Sequence, residues 1–342
     1  MPDESAHMNS AKQTITSKDV AKLAGVSQST VSRVFVPGSS VSEKTKQKVF
    51  EAAKALNYRP NAFARSLTTN ESKLIGLVFP DADYPIHMKT LQLISSELQK
   101  KGYSAVLIPW QIDDEDNHSI PNIFQYRVDG VIAASATLNK SLYEECEEFN
   151  IPIVQYARVV EGTQSSYVIS DNYEAGQQAA QLLHRNGVKN ALYLTGDVPT
   201  LTNDERQNGF ISEFKELSGK EPRIVEATYD YLSSLQKIRE ILTEKNRPEA
   251  IFCATDNLAM AVMDVARIQC GLAIPQDLQV IGFDNIPQTE WLSYQLTTFR
   301  QDFPRLARES VKIIVEQISN HNRNLIKMMV PTKLIKRNTT RI

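Results

Sequence analysis

The amino-acid sequence predicts a small all-α head followed by a larger α/β body of two doubly wound parallel-sheet subdomains. Three observations lead to this division. The chain has 342 residues, more than the roughly 150 of an average domain. Three short helical patterns lie within residues 14–59, and from residue 72 onwards apolar runs of strand length alternate with helical stretches. The charge divides at the same place, because the first 70 residues hold ten basic and five acidic side chains while the remainder holds 28 and 35.

The composition is that of a globular protein without a membrane segment. Apolar residues make up 42% and charged residues 23% of the chain, which excludes collagen-like and wholly disordered proteins. No apolar run approaches the roughly 18 residues of a membrane-spanning helix. The polar leader, residues 1–13, lacks a hydrophobic signal region, so we expect a cytoplasmic protein. The three cysteines show no metal-type spacing and are expected to be reduced thiols.

The first two helical patterns have the arrangement of a helix-turn-helix. Ser17 is the expected N-cap of a helix over residues 18–24, and Gly25 breaks that helix. Ser27 is then expected to cap a second helix over residues 28–35. In a helix-turn-helix the second helix lies in the major groove of DNA, and its first residues contact base edges.

The second helix carries side chains that suit base reading. Gln28 can pair with adenine and Arg33 with guanine, each through two hydrogen bonds, and Ser29 lies beside Gln28. A third helix over residues 43–57, capped by Ser42, completes the head. The excess of basic residues suits a polyanionic partner. From these patterns alone, a protein-binding three-helix bundle is the alternative.

Four stretches of the head closely resemble the DNA-binding domain of the LacI/GalR family of transcriptional regulators: residues 14–27, 29–34, 41–45 and 56–67. The resemblance continues more loosely through the rest of the chain. It implies that residues 60–71 form a hinge, whose short helix folds only on operator DNA and inserts a leucine into the minor groove. The DNA contacts that it implies are Thr16, Ser27, Gln28, Ser29, Thr30, Arg33, Ser42, Tyr58, Asn61, Ala64 and Leu67.

The body, residues 72–342, shows the near-continuous apolar runs of parallel strands that are buried on both faces. The predicted strands cover residues 74–79, 105–109, 130–134, 153–156, 167–170, 191–195, 224–227, 250–254 and 280–283.

The resemblance implies that the body has the crossed architecture of periplasmic binding proteins. A helix over residues 304–319 is expected to return to the first subdomain, and a last strand over residues 328–335 is expected in the second. The implied subdomains are residues 72–171 with 303–327 and residues 172–302 with 328–342.

Ligands of open α/β sheets bind beyond the carboxyl ends of the strands, which selects a set of candidate residues. Carboxylates and arginine forks bind hydroxyl groups and anions, and aromatic faces stack on rings. Arg206 and Asp284 also match ligand-binding residues of the family. Asp256 has a second interpretation as a helix cap, and Arg158 as a member of an ion pair. The predicted ligand contacts are Asp81, Tyr84, Ser135, Arg158, Arg206, Tyr229, Asp256 and Asp284.

The sequence contains no motif of catalysis or cofactor binding. Gly-x-Gly and Gly-x-Ser-x-Gly are absent, and the five histidines are scattered without metal-type spacing. We therefore expect no enzymatic activity, no cofactor and no metal. The predicted function is that of a ligand-responsive transcriptional regulator, a repressor by the family's usual mode. Two-fold symmetry predicts that a homodimer binds an approximately palindromic operator.

The effector is expected to be a sugar or sugar acid, because arginines and carboxylates line the predicted cleft. A purine is the second candidate, supported by Tyr229 and by residues 252–253. Residues 83–88 replace an aromatic segment of many relatives, which leaves the type of ring open. A solute-binding protein would lack the head, and an enzyme would need a base or nucleophile in the cleft, so both are weaker alternatives.

Overall fold

A computed structural model describes residues 15–35, 39–59, 71–80, 85–110, 123–134, 140–320 and 324–341. The chain divides into two compact units, Met1–Ser72 and Lys73–Ile342, which contain the head and the body. The described part of the chain has no helix that is both long and apolar enough to cross a membrane.

The described residues of the head form three helices: α1 (Ser17–Ala24), α2 (Gln28–Val34) and α3 (Glu43–Ala55). Their apolar sides meet in one core, in which Val31 of α2 and Val49 of α3 are fully buried. Because both apolar residues of α2 point into this core, the polar residues of α2 lie on its outer side.

Side-chain caps begin the helices of the head. Ser27 and Ser42 each accept a hydrogen bond from the backbone N–H three residues later, at 3.1 and 3.3 Å, as predicted. The first cap was predicted wrongly, because α1 begins at Ser17 and its N-cap is Thr16. The reason is the carboxylate of Asp19, which accepts hydrogen bonds from the backbone N–H and the hydroxyl of Thr16 at 2.8 and 2.7 Å. These bonds lower the pKa of Asp19.

The body consists of two six-stranded sheets with helices between the strands. The strands are β1 (Leu74–Pro80), β2 (Ser104–Trp110), β3 (Gly130–Ala133), β4 (Ile153–Tyr156), β5 (Ser166–Ser170), β6 (Ala191–Thr195), β7 (Arg223–Glu226), β8 (Ala250–Cys253), β9 (Gln279–Asp284), β10 (Thr297–Arg300), β11 (Lys327–Val330) and β12 (Lys333–Ile335). The longer helices in the part of the body that the structure describes are α4 (Pro85–Lys100), α5 (Lys140–Glu148), α6 (Asn172–Arg185), α7 (Leu201–Ser218), α8 (Tyr231–Thr243), α9 (Asp256–Asp264) and α10 (Phe303–Asn320).

The first sheet has the strand order β11-β5-β4-β3-β1-β2, and all of its neighbouring strands are parallel. The second sheet has the order β12-β10-β9-β8-β6-β7, and only β12 is antiparallel to its neighbour. The chain crosses between the sheets after β5, after β10 and between β11 and β12. This double α/β architecture confirms the predicted fold class, and every predicted strand before residue 284 overlaps an observed one.

The end of the chain was predicted wrongly in one respect. The expected last strand over residues 328–335 is two strands that belong to different sheets. β11 pairs in parallel with β5 of the first sheet, whereas β12 pairs with β10 of the second. Pro331 lies between them and has no backbone N–H to continue a ladder, so the chain leaves the first sheet there. Residues 328–330 therefore belong with the first sheet.

Candidate functional site

A cavity of about 500 Å³ lies in the body, at the carboxyl ends of strands from both sheets. This volume is within the range of small-molecule sites. Residues at or just after the ends of β1, β3 and β4 line it from the first half, and residues at or just after the ends of β8, β9 and β10 line it from the second. Its walls combine the aromatic rings of Phe79, Tyr156 and Tyr229 with the charged groups of Arg206 and Asp284.

Arg206 reaches this cavity because α6 and α7 pack with their backbones in very close contact. A Cβ atom on Gly176 would lie 2.2 Å from the carbonyl oxygen of Arg206, and one on Gly209 would lie 2.1 Å from that of Tyr173. Only glycine permits this approach at both positions. The close packing places Arg206 of α7 beside Asn172, the first residue of α6.

The Arg206 guanidinium is held on several sides, and one of its donors is buried without a partner among the described residues. Its Nη2 donates a hydrogen bond to Oδ1 of Asn172 at 2.8 Å, and its Nη1 donates to the carbonyl of Ala254. Its Cζ lies 3.3 Å from the ring centroid of Phe283. The Nε–H has no hydrogen-bond partner among the residues that the structure describes, although Arg206 is only 8% exposed. The Arg206 side chain nevertheless lines the cavity, so a ligand there would lie beside a positive charge.

Asp284 places a negatively charged carboxylate in the cavity wall, opposite in sign to the charge of Arg206. It ends β9 with a backbone φ of 120°, a conformation that is rare outside glycine. Nε2 of Gln301 donates to its Oδ1 at 2.6 Å, and the hydroxyl of Ser170 donates to Oε1 of Gln301 at 2.7 Å. Because Ser170 ends β5 of the first sheet, these hydrogen bonds connect the two halves of the body at their crossings.

Asp256 does not line the cavity, and its position does not support the prediction of a ligand contact. The side chain is fully buried and accepts hydrogen bonds from the backbone N–H of Ile286 at 2.9 Å and the hydroxyl of Thr298 at 2.5 Å. The helix cap is Thr255, so the alternative role of Asp256 as the cap is also wrong. Burial, and then the nearby charge of Asp284, raise the pKa of Asp256.

This raised pKa predicts a pH dependence of stability. The folded state holds a proton on Asp256 that the unfolded state releases above its ordinary pKa of 3.8. The free-energy contribution of this group to folding is therefore fully present below pH 3.8 and is lost as the pH rises through its higher folded-state pKa. Relative to the wild type, Asp256→Asn should become progressively more stable as the pH rises from 4 towards neutral.

Urea unfolding at a series of pH values measures this difference. The exposed variant Glu216→Gln is the control, and its stability relative to the wild type should change less over the same range. A constant difference between Asp256→Asn and the wild type at all pH values would contradict the prediction.

In the head, α2 presents polar side chains at its exposed surface. Gln28, Ser29 and Arg33 are exposed, while Val31 and Val34 are buried. A helix-turn-helix turns such an exposed face of its second helix towards base edges, here with Gln28 and Ser29 in the first turn and Arg33 in the last.

Comparison with known proteins decides the family. Residues 16–61 match the family described as bacterial regulatory proteins, lacI family, and residues 180–340 match the periplasmic binding protein-like domain. The HTH-type transcriptional repressor PurR of Aliivibrio salmonicida is 31% identical to this chain over 319 residues, covering 92% of this chain and 96% of PurR. The chain belongs to the LacI family. This LacI-family protein is thus a DNA-binding transcriptional repressor, and its relatives are repressors rather than enzymes.

Two solved structures show the same fold as this LacI-family repressor. The Lac repressor dimer bound to operator and the anti-inducer ONPF has a TM-score of 0.85 and 26% identity, covering 96% of this chain and 99% of that chain. The transcriptional regulator CelR in complex with cellobiose has a TM-score of 0.70 and 26% identity, covering 95% of this chain and 99% of that chain.

Four of the eight predicted ligand contacts meet at the cavity of the LacI-family repressor: Arg158, Arg206, Tyr229 and Asp284. A Cβ on Gly196 would lie 2.2 Å from the Tyr229 ring, so the glycine makes room for this aromatic side chain. The predicted contacts Asp81, Tyr84 and Ser135 lie outside the described residues.

Several residues that are predicted to contact DNA also stabilise the head itself. Thr16, Ser27 and Ser42 are the helix caps described above, and the Ser27 hydroxyl also lies 2.8 Å from that of Thr30. The Tyr58 ring packs near Phe35, with ring centroids 6.1 Å apart. The predicted hinge residues Asn61, Ala64 and Leu67 lie outside the described residues.

The polar residues of the cavity wall that the sequence reasoning missed include Asn172, Asn203 and Gln301. Gln301 directly follows β10, so the rule of strand ends would have selected it if β10 had been recognised. Asn172 follows the end of β5 by two residues and was available to the same rule. Nothing local marks Asn203, whose amide is positioned by Tyr193 and Thr195 of β6.

Proposed function

We propose that this LacI-family repressor acts as a homodimer on an approximately palindromic operator, and that a small molecule in the body cavity controls the binding. The observation that carries the proposal is a cavity that both halves of the body line, with the guanidinium of Arg206 and the carboxylate of Asp284 in its wall. A ligand that contacts both halves binds most tightly at one angle between them, so it shifts the equilibrium between conformations. The likeness to the Lac repressor dimer on its operator supports the assembly.

A sugar or sugar acid is the effector class that the cavity favours. Arg206 and Asp284 both line the cavity, where the guanidinium suits a carboxylate or hydroxyl oxygen and the Asp284 carboxylate suits hydroxyl groups. Polyhydroxylated rings present both kinds of partner to such a pair. The likeness to CelR with bound cellobiose supports this choice.

A purine is the second candidate, and two observations favour it. The PurR repressors are 31–32% identical to this chain over most of its length. Tyr229 and Tyr231 line the cavity, and aromatic faces of this kind stack on planar heterocycles.

The test is a thermal-shift screen of the full-length protein with neutral sugars, sugar acids and purines. A compound that binds the folded state raises the melting temperature. We expect a sugar or sugar acid to do so, and to change the affinity for operator DNA by about tenfold, a coupling of about 1.4 kcal/mol. A compound that binds without changing operator affinity would contradict the proposed control of DNA binding.

Operator binding should also weaken steeply with salt. Contacts from two heads to DNA phosphates release counterions, and six to ten such contacts lower the affinity about 10³- to 10⁵-fold between about 50 and 200 mM salt. Fluorescence anisotropy with an operator fragment measures this slope, and a random-sequence fragment of equal length is the control. An affinity that does not change with salt would argue against binding through the basic head.

A further inference from the structure

Gln28, the first residue of α2, does not have a free side chain. Its Nε2 donates a hydrogen bond to the hydroxyl oxygen of Ser17 at 3.0 Å. Ser17 is the first residue of α1, so this bond connects the starts of the two helices of the helix-turn-helix. Gln28 is exposed, and an exposed glutamine otherwise samples many rotamers. The contact with Ser17 therefore restricts the orientation of the amide before any DNA is bound.

The bond also determines which groups of the amide remain available. A glutamine amide has two N–H donors and one carbonyl acceptor. Ser17 takes one N–H, which leaves the other N–H and Oε1 of Gln28 for a further partner. The major-groove edge of adenine presents one acceptor, N7, next to one donor, the N6 amino group. The remaining pair on Gln28 is the complement of that edge.

We propose that Ser17 is a positioning residue that sets the base preference of Gln28 for adenine. This inference rests on the proposed binding of operator DNA by the head. Ser17 acts before binding, because it holds the amide in the orientation that adenine requires and so reduces the entropy lost on contact. Its own hydroxyl hydrogen stays available to a DNA phosphate, which would strengthen binding to every sequence alike.

The experiment is selection of double-stranded fragments from a randomised DNA library by the full-length protein. It is run with and without the compounds that raise the melting temperature. The variants are Ser17→Ala, Ser17→Thr, Gln28→Ala and the double variant Ser17→Ala with Gln28→Ala. The position that loses its preference in Gln28→Ala identifies the base that Gln28 contacts. We expect that base to be adenine in each half-site.

Ser17→Ala should lower the adenine preference at that position about three- to tenfold, the equivalent of one hydrogen bond, and leave the other positions unchanged. Ser17→Thr keeps the hydroxyl and should retain the preference. In the Gln28→Ala background, the loss of Ser17 should have no further effect at that position. Melting curves of each variant show that it is folded.

Three outcomes would overturn the inference. Ser17→Ala could weaken binding to all sequences equally, which would make Ser17 a phosphate contact only. Its effect could persist without Gln28, or the base contacted by Gln28 could differ from adenine. Each of these outcomes leaves operator binding intact. If instead the wild type enriches no sequence at all, the proposed operator binding itself fails, so the two kinds of failure give different results.

Discussion

Arg206→Ala is expected to weaken effector binding at least about 100-fold, or about 2.7 kcal/mol. The change removes the charged guanidinium from the cavity wall, and charge-assisted hydrogen bonds contribute about 1.5–3 kcal/mol each. It also leaves Oδ1 of Asn172 and the carbonyl of Ala254 without the donors that they have now. Isothermal titration calorimetry with the compound that raises the melting temperature most gives the dissociation constants.

Two further variants make the Arg206 experiment specific. Arg206→Lys keeps the positive charge but loses the planar fork, so its effect should lie between those of the wild type and Arg206→Ala. Arg239→Ala removes an exposed arginine of α8 outside the cavity wall and should bind the effector as the wild type does. An unchanged dissociation constant in Arg206→Ala would place the effector elsewhere and remove the main support for the proposed site.

Gly209→Ala is expected to lower the free energy of unfolding of the body by about 3 kcal/mol, at the upper end of the usual cost of overpacking. The new Cβ would lie 2.1 Å from the carbonyl oxygen of Tyr173, which is backbone and cannot turn aside as a side chain could. The helices α6 and α7 must then separate, and Arg206 moves with α7. Urea unfolding measures the loss of stability, and the melting temperature should fall with it.

The matched control is Gly76→Ala in β1. Its Cβ would meet the terminal methyl carbon of Ile108 at 3.0 Å, the far end of a flexible side chain that can adjust. We expect a loss of at most about 1 kcal/mol there. Equal stability losses in the two variants would mean that the contact between α6 and α7 adjusts more easily than its geometry indicates.

The missed strand β10 shows why local patterns were not sufficient. Its sequence begins with Thr297 and Thr298, which are polar, so it does not read as a buried strand. Both residues are nevertheless fully buried. Their hydroxyls find distant partners: Thr298 donates to Asp256, and Thr297 donates to the carbonyl of Arg337. A buried hydroxyl is stable only when it is hydrogen-bonded, and partners about 40 positions away in the chain are invisible to a local pattern.

The role of Asp256 was misjudged for the same reason. A carboxylate just after a strand end was a reasonable candidate for the cleft. Whether it faces a ligand or the interior depends on where Thr298 and Ile286 lie, and these belong to later elements of the second half. Arg206 was selected correctly as a cavity residue. The contacts of its guanidinium with Asn172 and Phe283 could not be predicted from the residues next to Arg206 in the sequence.

The sequence by itself determined the division into head and body, the helix-turn-helix, the alternation of strands and helices, and membership of the LacI family. These properties follow from caps, periodicity and motifs, which act over a few neighbouring residues. Only the tertiary structure decided the sheet to which β11 belongs, the burial of Asp256 and the hydrogen bonds of Ser170, Gln301 and Asp284 across the crossings. Those outcomes depend on contacts between segments up to 160 positions apart, whose partners are chosen by packing and by the need to satisfy buried polar groups.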